Sequence, residues 1–87
     1  MDSTNVLPYV GPMTYDEDLD AIGLLCPLPV LKARKRLIGM TPGQVLRLVA
    51  TDPAAVIDVP HFCAEQGHDF LGQEPQGETT HYFIRRN

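Results

Sequence analysis

The sequence predicts a single α+β domain whose elements follow in the order strand, helix, strand, helix, strand, strand. Three features of the 87-residue chain carry that reading. A run containing two early prolines, 27–40, places apolar residues at helical spacing. Residues 44–51 alternate between two faces, as a half-buried strand does. Two further strand-like runs, 68–74 and 79–86, are joined through Pro75-Gln76-Gly77-Glu78, a hairpin-type connection.

Met1–Thr14 holds Pro8, Gly11 and Pro12 without usable periodicity, and is expected to be a flexible extension ahead of one domain at 15–87. Tyr15–Ile22 reads as a short, acid-rich strand ended by Gly23. Leu24-Leu25-Cys26 then leads into a helix expected from Pro27 to about Met40. Pro27 suits the first helical position, where an N–H has no partner to lose, and Pro29 still lies in the first turn. At about 100° per residue, Val30, Leu31, Ala33, Leu37, Ile38 and Met40 share one half of this helix, and Lys32, Lys35 and Arg36 the other. Arg34 falls inside the apolar arc, where its stem would be covered while its head reaches solvent. Thr41-Pro42-Gly43 closes the helix. In Gln44–Thr51, Leu46, Leu48 and Ala50 face one way and Val45, Arg47, Val49 and Thr51 the other, so burial is expected chiefly on one side.

Asp52-Pro53 opens the second helix, with Asp52 as its cap. Pro60 is expected to interrupt it, leaving a first turn at 53–57 and a restart capped by Asp58. Val59, Phe62 and Cys63 then form an inward stripe, and Gly67 supplies a left-handed C-cap.

Composition excludes several classes. Hydrophobic residues at 44% and charged residues at 21% suit a globular domain and are too apolar for disorder. No apolar run approaches the ~18 residues of a membrane helix, and Met1–Thr14 lacks a basic start and an apolar stretch, so an intracellular, cytoplasmic protein is expected. The net charge of −4 opposes non-specific nucleic-acid binding, and no direct nucleic-acid partner is expected. The basic block Lys32, Arg34, Lys35, Arg36 and Arg47 suits an acidic protein partner or an RNA or, more simply, a solvated helix face. Two cysteines make no disulfide framework, and both are expected as thiols.

The chemistry centres on Cys26, at or beside the start of a helix. The helix dipole and a backbone N–H would favour its thiolate, so a lowered pKa is expected. Pro27 and Pro29 carry no N–H, which leaves Leu28 as the main donor for the sulfur, and the prolines stiffen the backbone that displays it. In Cys26-Pro27-Leu28-Pro29 a proline occupies the place of a resolving thiol, which disfavours dithiol chemistry, and no compelling His with Asn or Asp accompanies Cys26 as in a cysteine protease. A lone accessible thiolate without its own base suits transfer between thiols. On position alone, that reading and an inert turn cysteine stand equal.

Leu19-Asp20-Ala21-Ile22-Gly23-Leu24-Leu25-Cys26-Pro27-Leu28-Pro29-Val30 closely resembles the signature of the TusA/SirA-like sulfur carriers. The resemblance continues through Pro42-Gly43, Ala50-Thr51-Asp52-Pro53-Ala54, Asp58-Val59-Pro60-His61-Phe62-Cys63, Gly67-His68 and Tyr82-Phe83-Ile84-Arg85-Arg86, covering about 16–86. It implies a two-layer sandwich: a four-stranded mixed sheet with both helices on one face. One-sided burial of 44–51 and the shared hand of crossover connections agree with this. It also implies that Cys26 accepts sulfane sulfur as a persulfide, typically from a cysteine desulfurase, and passes it to an acceptor protein for tRNA 2-thiouridine synthesis or a related pathway. No cofactor is then needed on this chain, since the pyridoxal phosphate belongs to the desulfurase. Pro27 and Pro29 would shape the site, Arg34, Lys35 and Asp52 would belong to the docking face, and the carrier would act as a monomer.

Other residues invite competing readings. Cys63 resembles a second redox thiol, but its helical spacing favours a packed core position. His61, Cys63 and His68 superficially resemble metal ligands, yet His61 projects away from Cys63 and no metal is expected. His81 reads as a strand residue. The alternative from another class is a regulatory or protein-binding module of the same fold without sulfur transfer; a small redox protein is a third and needs Cys26 and Cys63 within bridging distance.

Overall fold

The computed structural model describes residues 14–87. The extension expected at 1–14 falls, but for Thr14, outside the described residues. The elements are β1 (Glu17–Ala21), α1 (Leu28–Ile38), β2 (Val45–Ala50), α2 (Ala55–Gln66), β3 (Asp69–Gln76) and β4 (Thr79–Arg85). They form the expected β-α-β-α-β-β order. The sheet order is β1-β2-β4-β3, with β1 parallel to β2 and the other pairs antiparallel. Both helices pack on one face, where Leu19, Leu46, Leu48, Tyr82 and Ile84 of the sheet meet Ala33, Leu37, Val59 and Phe62 of the helices.

The alternation of β2 explains its place: Leu46 and Leu48 are fully buried against the helices, while Arg47 faces the other side. There Arg47 makes two 2.8 Å bonds to Asp18, its register partner on β1, and lies 4.4 Å over the Tyr15 ring. Arg47 also holds the Asp18 carboxyl below its ordinary value, chiefly through that hydrogen bond. This second face is not purely polar, since Val49 and Phe83 are buried as well.

Several boundaries differ from expectation. α1 begins at Leu28 with Pro27 as N-cap and ends at Ile38, two residues short of Met40. Pro29, Ala33 and Leu37 face the core, whereas Leu31 and Ile38, expected inward, are more than half exposed. The buried arc is thus rotated toward Pro29, and Arg34 is exposed rather than half covered. α2 runs unbroken through Pro60. A proline there costs one helical bond, to the carbonyl of Val56, a residue exposed enough for water to serve that oxygen. Asp58 therefore lies in the first turn of one helix and caps no second one. β3 extends to Gln76 and includes Pro75, which an edge strand tolerates, so the hairpin closes on Gly77 and Glu78 alone. Gly77 takes φ +66° in that turn, and Gly67 ends α2 in the expected left-handed conformation at φ +78°.

The pole opposite Cys26 is tied by Arg86. Its Nε donates to the Leu37 carbonyl at 2.7 Å, its N–H to the Gln44 carbonyl, and its own carbonyl accepts from Gly43. Nearby, His68 Nδ1 accepts the Asn87 N–H at 3.1 Å. Burial lowers the His68 pKa below the ordinary 6.5, and Arg86 adds to the effect. The folded state then binds fewer protons than the unfolded one, so this contribution is present above pH 6.5 and is lost as pH falls through the lower folded value. Chemical unfolding at a series of pH values is expected to show stability declining as pH falls below 6.5, with His68→Gln flattening the decline. Leu48→Ala, at a fully buried position, is expected to cost about 2–5 kcal/mol in urea unfolding.

Candidate functional site

Because β1 and β2 are parallel, the loops after them emerge at the same end of the sheet, and those loops build the site. The β1–α1 loop is shaped by its own backbone: Ile22 N–H donates to Asp20 Oδ1 at 2.8 Å and Leu24 N–H to the Ala21 carbonyl at 3.2 Å. Gly23, at φ +83°, turns the chain and donates its N–H to Thr51 Oγ1 of the β2–α2 loop at 2.9 Å. Cys26 N–H donates to Asp52 Oδ2 at 2.6 Å, and Asp52 Oδ1 accepts from Ala54 N–H at 3.1 Å. Asp52 is only 9% exposed. It does not cap α2, whose N-cap is Ala54; it fixes the turn before the helix and the backbone of Cys26 together. Expected on a docking face, Asp52 is instead a buried clamp.

Cys26 itself is exposed, and its peptide bond to Pro27 is cis. Its sulfur opens on a cleft of about 200 Å³ between the helices, walled by Pro27 and Val30 on one side and by Asp58, His61, Phe62 and Glu65 of α2 on the other. The four α2 residues stand at i, i+3, i+4 and i+7, one helical stripe. His61 Nε2 lies 3.4 Å from Glu65 Oε2.

The lowered thiol pKa expected from the helix start is overturned. The Leu28 N–H, the expected donor to the sulfur, is spent on the Leu25 carbonyl at 2.8 Å. Pro27 and Pro29 offer no N–H. The Asp58 carboxylate across the cleft instead raises the Cys26 pKa above the ordinary cysteine value; desolvation and the charge of Asp52 act in the same direction. Asp58 thus sets a carboxylate on the cleft of Cys26, where the sequence reading expects no base. The sequence reading makes Asp58 the cap of a helix restarting after a first turn at 53–57, which gives it no part in the site. The signal that would have found it is the stripe 58, 61, 62, 65 in an unbroken helix.

The remaining residues separate clearly. Arg34 and Lys35 are both exposed, but Arg34 stands apart from the Lys32, Lys35, Arg36 stripe by about 100° around α1 from Lys35. Cys63 is 1% exposed in the core, and burial pushes its thiol up to about 11, with Asp69 adding to the shift. Both cysteines are free thiols.

Two outcomes test this geometry. In Asp58→Asn the Cys26 thiol is expected to ionise at lower pH, so iodoacetamide alkylation followed against pH speeds up near neutrality and converges with the wild type once both thiols are ionised. Asp52→Ala leaves the Cys26 and Ala54 N–H groups without their carboxylate, and thermal or urea unfolding is expected to register a loss of about 1–3 kcal/mol.

Comparison with known proteins places this site in a family. The profile of the family described as sulfurtransferase TusA matches residues 17–86. The chain is 41% identical over 73 residues to a protein of Allochromatium vinosum named sulfur carrier protein TusA, covering 84% of this chain and 96% of that one. A protein of the same name from Pseudomonas entomophila is 42% identical over 74 residues, covering 85% and 92%. Among solved structures, the crystal structure of a SirA-like protein from Desulfitobacterium hafniense superposes with a TM-score of 0.72 at 21% identity, over 80% of this chain and 96% of the other, which shows the shared fold. With that profile spanning every strand and helix and the Cys26 loop, the chain belongs to the TusA family of sulfur carriers and sulfurtransferases.

Proposed function

We infer that the protein shuttles sulfane sulfur as a persulfide on Cys26, between a donor protein such as a cysteine desulfurase and an acceptor protein, in the cytoplasm. The observation that carries this is an exposed thiol whose backbone is clamped to Asp52 while its sulfur is unencumbered by backbone donors. In loading, the Cys26 thiol gives up its proton, for which the Asp58 carboxylate on the wall of the same cleft is the acceptor. The thiolate attacks the terminal sulfur of the donor persulfide, the donor's S–S bond breaks, and the donor cysteine leaves as thiolate and is reprotonated. The product is Cys26–S–SH. In unloading, an acceptor thiolate attacks that outer sulfur and Cys26 departs as the thiolate. Each step exchanges one S–S bond for another, so neither needs an external oxidant or reductant. A thiolation pathway ending in tRNA 2-thiouridine is one destination consistent with such chemistry.

The loops and first helical turns at this end also expose Ile22, Leu25, Leu28, Leu31, Val56 and Ile57, with Leu25 66% and Ile57 75% accessible. An apolar surface beside a reacting sulfur suits a partner that seals the two cysteines from water during transfer. Among the described residues no helix is long and apolar enough to cross a membrane.

Intact-mass measurement after incubation with a cysteine desulfurase and L-cysteine is expected to show a gain of one sulfur atom that reductant reverses. Cys26→Ser abolishes the gain and Cys63→Ser keeps it. Absence of sulfur gain from both desulfurase and polysulfide would instead favour a binding or regulatory module. Arg34→Glu is expected to abolish protein-mediated loading while leaving the fold and direct loading from polysulfide intact; unchanged transfer would remove Arg34 from the docking face.

A further inference from the structure

We propose that the groove between α1 and the edge strand β1 binds an acidic peptide segment of a protein that exchanges sulfur with Cys26. This rests on the carrier reading and adds to it a recognition surface separate from the reacting sulfur. The groove encloses about 480 Å³ and is lined by Glu17 and Leu19 of β1, by Lys32, Lys35 and Arg36 of α1, and by the helix C-cap Gly39. Lys32, Lys35, Arg36 and the C-cap Gly39 stand at i, i+3, i+4 and i+7, so one flank of the helix gathers three cations above the buried Leu19.

The charges in the groove divide into engaged and available. Arg36 is engaged: it pairs with Glu17 at 3.3 Å and donates to the Asp18 carbonyl at 3.2 Å. Capping that carbonyl blunts the edge of the sheet, so a ligand here is read by its side chains and does not extend the sheet as a fifth strand. Lys32 and Lys35 are exposed and have no acidic partner among the described residues. Two lysines one turn apart beside an apolar floor match carboxylates flanking an aliphatic side chain.

Reach and overall charge decide the class of ligand. Lys32 lies six residues beyond Cys26, roughly 9 Å along the helix axis, so a segment bound here leaves the thiol free to react. A short peptide feels mainly charges within a Debye length, about 8 Å at physiological salt. A nucleic acid spreads its phosphates over a wider surface, where a chain of net charge −4 repels it.

The test is an NMR titration of the ¹⁵N-labelled full chain with the peptide Glu-Glu-Leu-Glu-Glu, and in parallel with an oligouridylate of matching charge. The expected result is saturable shifts at Lys32, Lys35, Arg36 and the β1 amides with the peptide alone, weakened by added salt. The double substitution Lys32→Glu, Lys35→Glu is expected to weaken binding by about tenfold or more. Should that variant lose the native spectrum, Lys32→Gln, Lys35→Gln decides, with a smaller loss in the same direction. Shifts centred elsewhere, an equal response to oligouridylate, or undiminished binding by the folded variant overturns the proposal. Polysulfide loading of Cys26, followed by intact mass, is expected to be unchanged in these variants. Failure of that loading in the wild type sinks the carrier reading, whereas failure of the peptide titration with loading intact sinks only the groove.

Discussion

The carboxylate of Asp52 joins two loops that the sheet alone would leave independent. One oxygen holds the N–H of Cys26 and the other the N–H of Ala54, so the reactive residue and the entry to α2 are referenced to a single buried side chain. The Gly23 to Thr51 bond runs beside it, between the same two loops. A cysteine on an unsupported loop would sample many orientations, and each transfer would begin with the entropy of choosing one. Here the backbone is fixed from within the protein while the sulfur stays in solvent, which separates positioning from reactivity.

That separation lets the thiol's surroundings differ from those the helix start suggests. Backbone amides at a helix N-terminus activate a sulfur only if they point at it. In this chain two of the first residues are prolines and the intervening Leu28 amide bonds backward to Leu25, so Asp58 of α2 and Asp52 of the loop before it govern the field instead. Cys26 in the free protein is a guarded nucleophile. The two helices meanwhile carry contrasting stripes, Asp58 and Glu65 on one and Lys32, Lys35 and Arg36 on the other, and each stripe borders a different depression.

Much of this was legible in the residues because local and tertiary preferences agree. The strict alternation of Leu46, Leu48 and Ala50 has no other use than one buried face, and the stripe Val59, Phe62, Cys63 buries where its spacing says. The element order and the prominence of Cys26 follow from such signals. What was not legible depends on competition between partners. Pro60 breaks a helix only if its lost bond is expensive, and here the residue left without that bond, Val56, is exposed. Asp52 looked like a cap because a cap and a clamp are the same residue type before a helix; only the approach of Cys26 from 26 positions away distinguishes them. The rotation of α1 toward Pro29 reflects a proline used as a core residue, which periodicity scales count as a breaker.

The strand order has a consequence for biosynthesis. β4 is made after every other element, yet it occupies an interior position between β2 and β3. Until its residues have left the ribosome, β3 has no sheet to join, Tyr82 and Ile84 are absent from the core, and Arg86 cannot close the far pole. The early βαβ half carries the reactive cysteine but cannot bury its own Leu46 and Leu48 against a completed layer. Folding of this domain therefore completes after synthesis of β4 rather than during translation of its first half, with the nascent Cys26 loop exposed to the cell before its acidic surroundings are assembled.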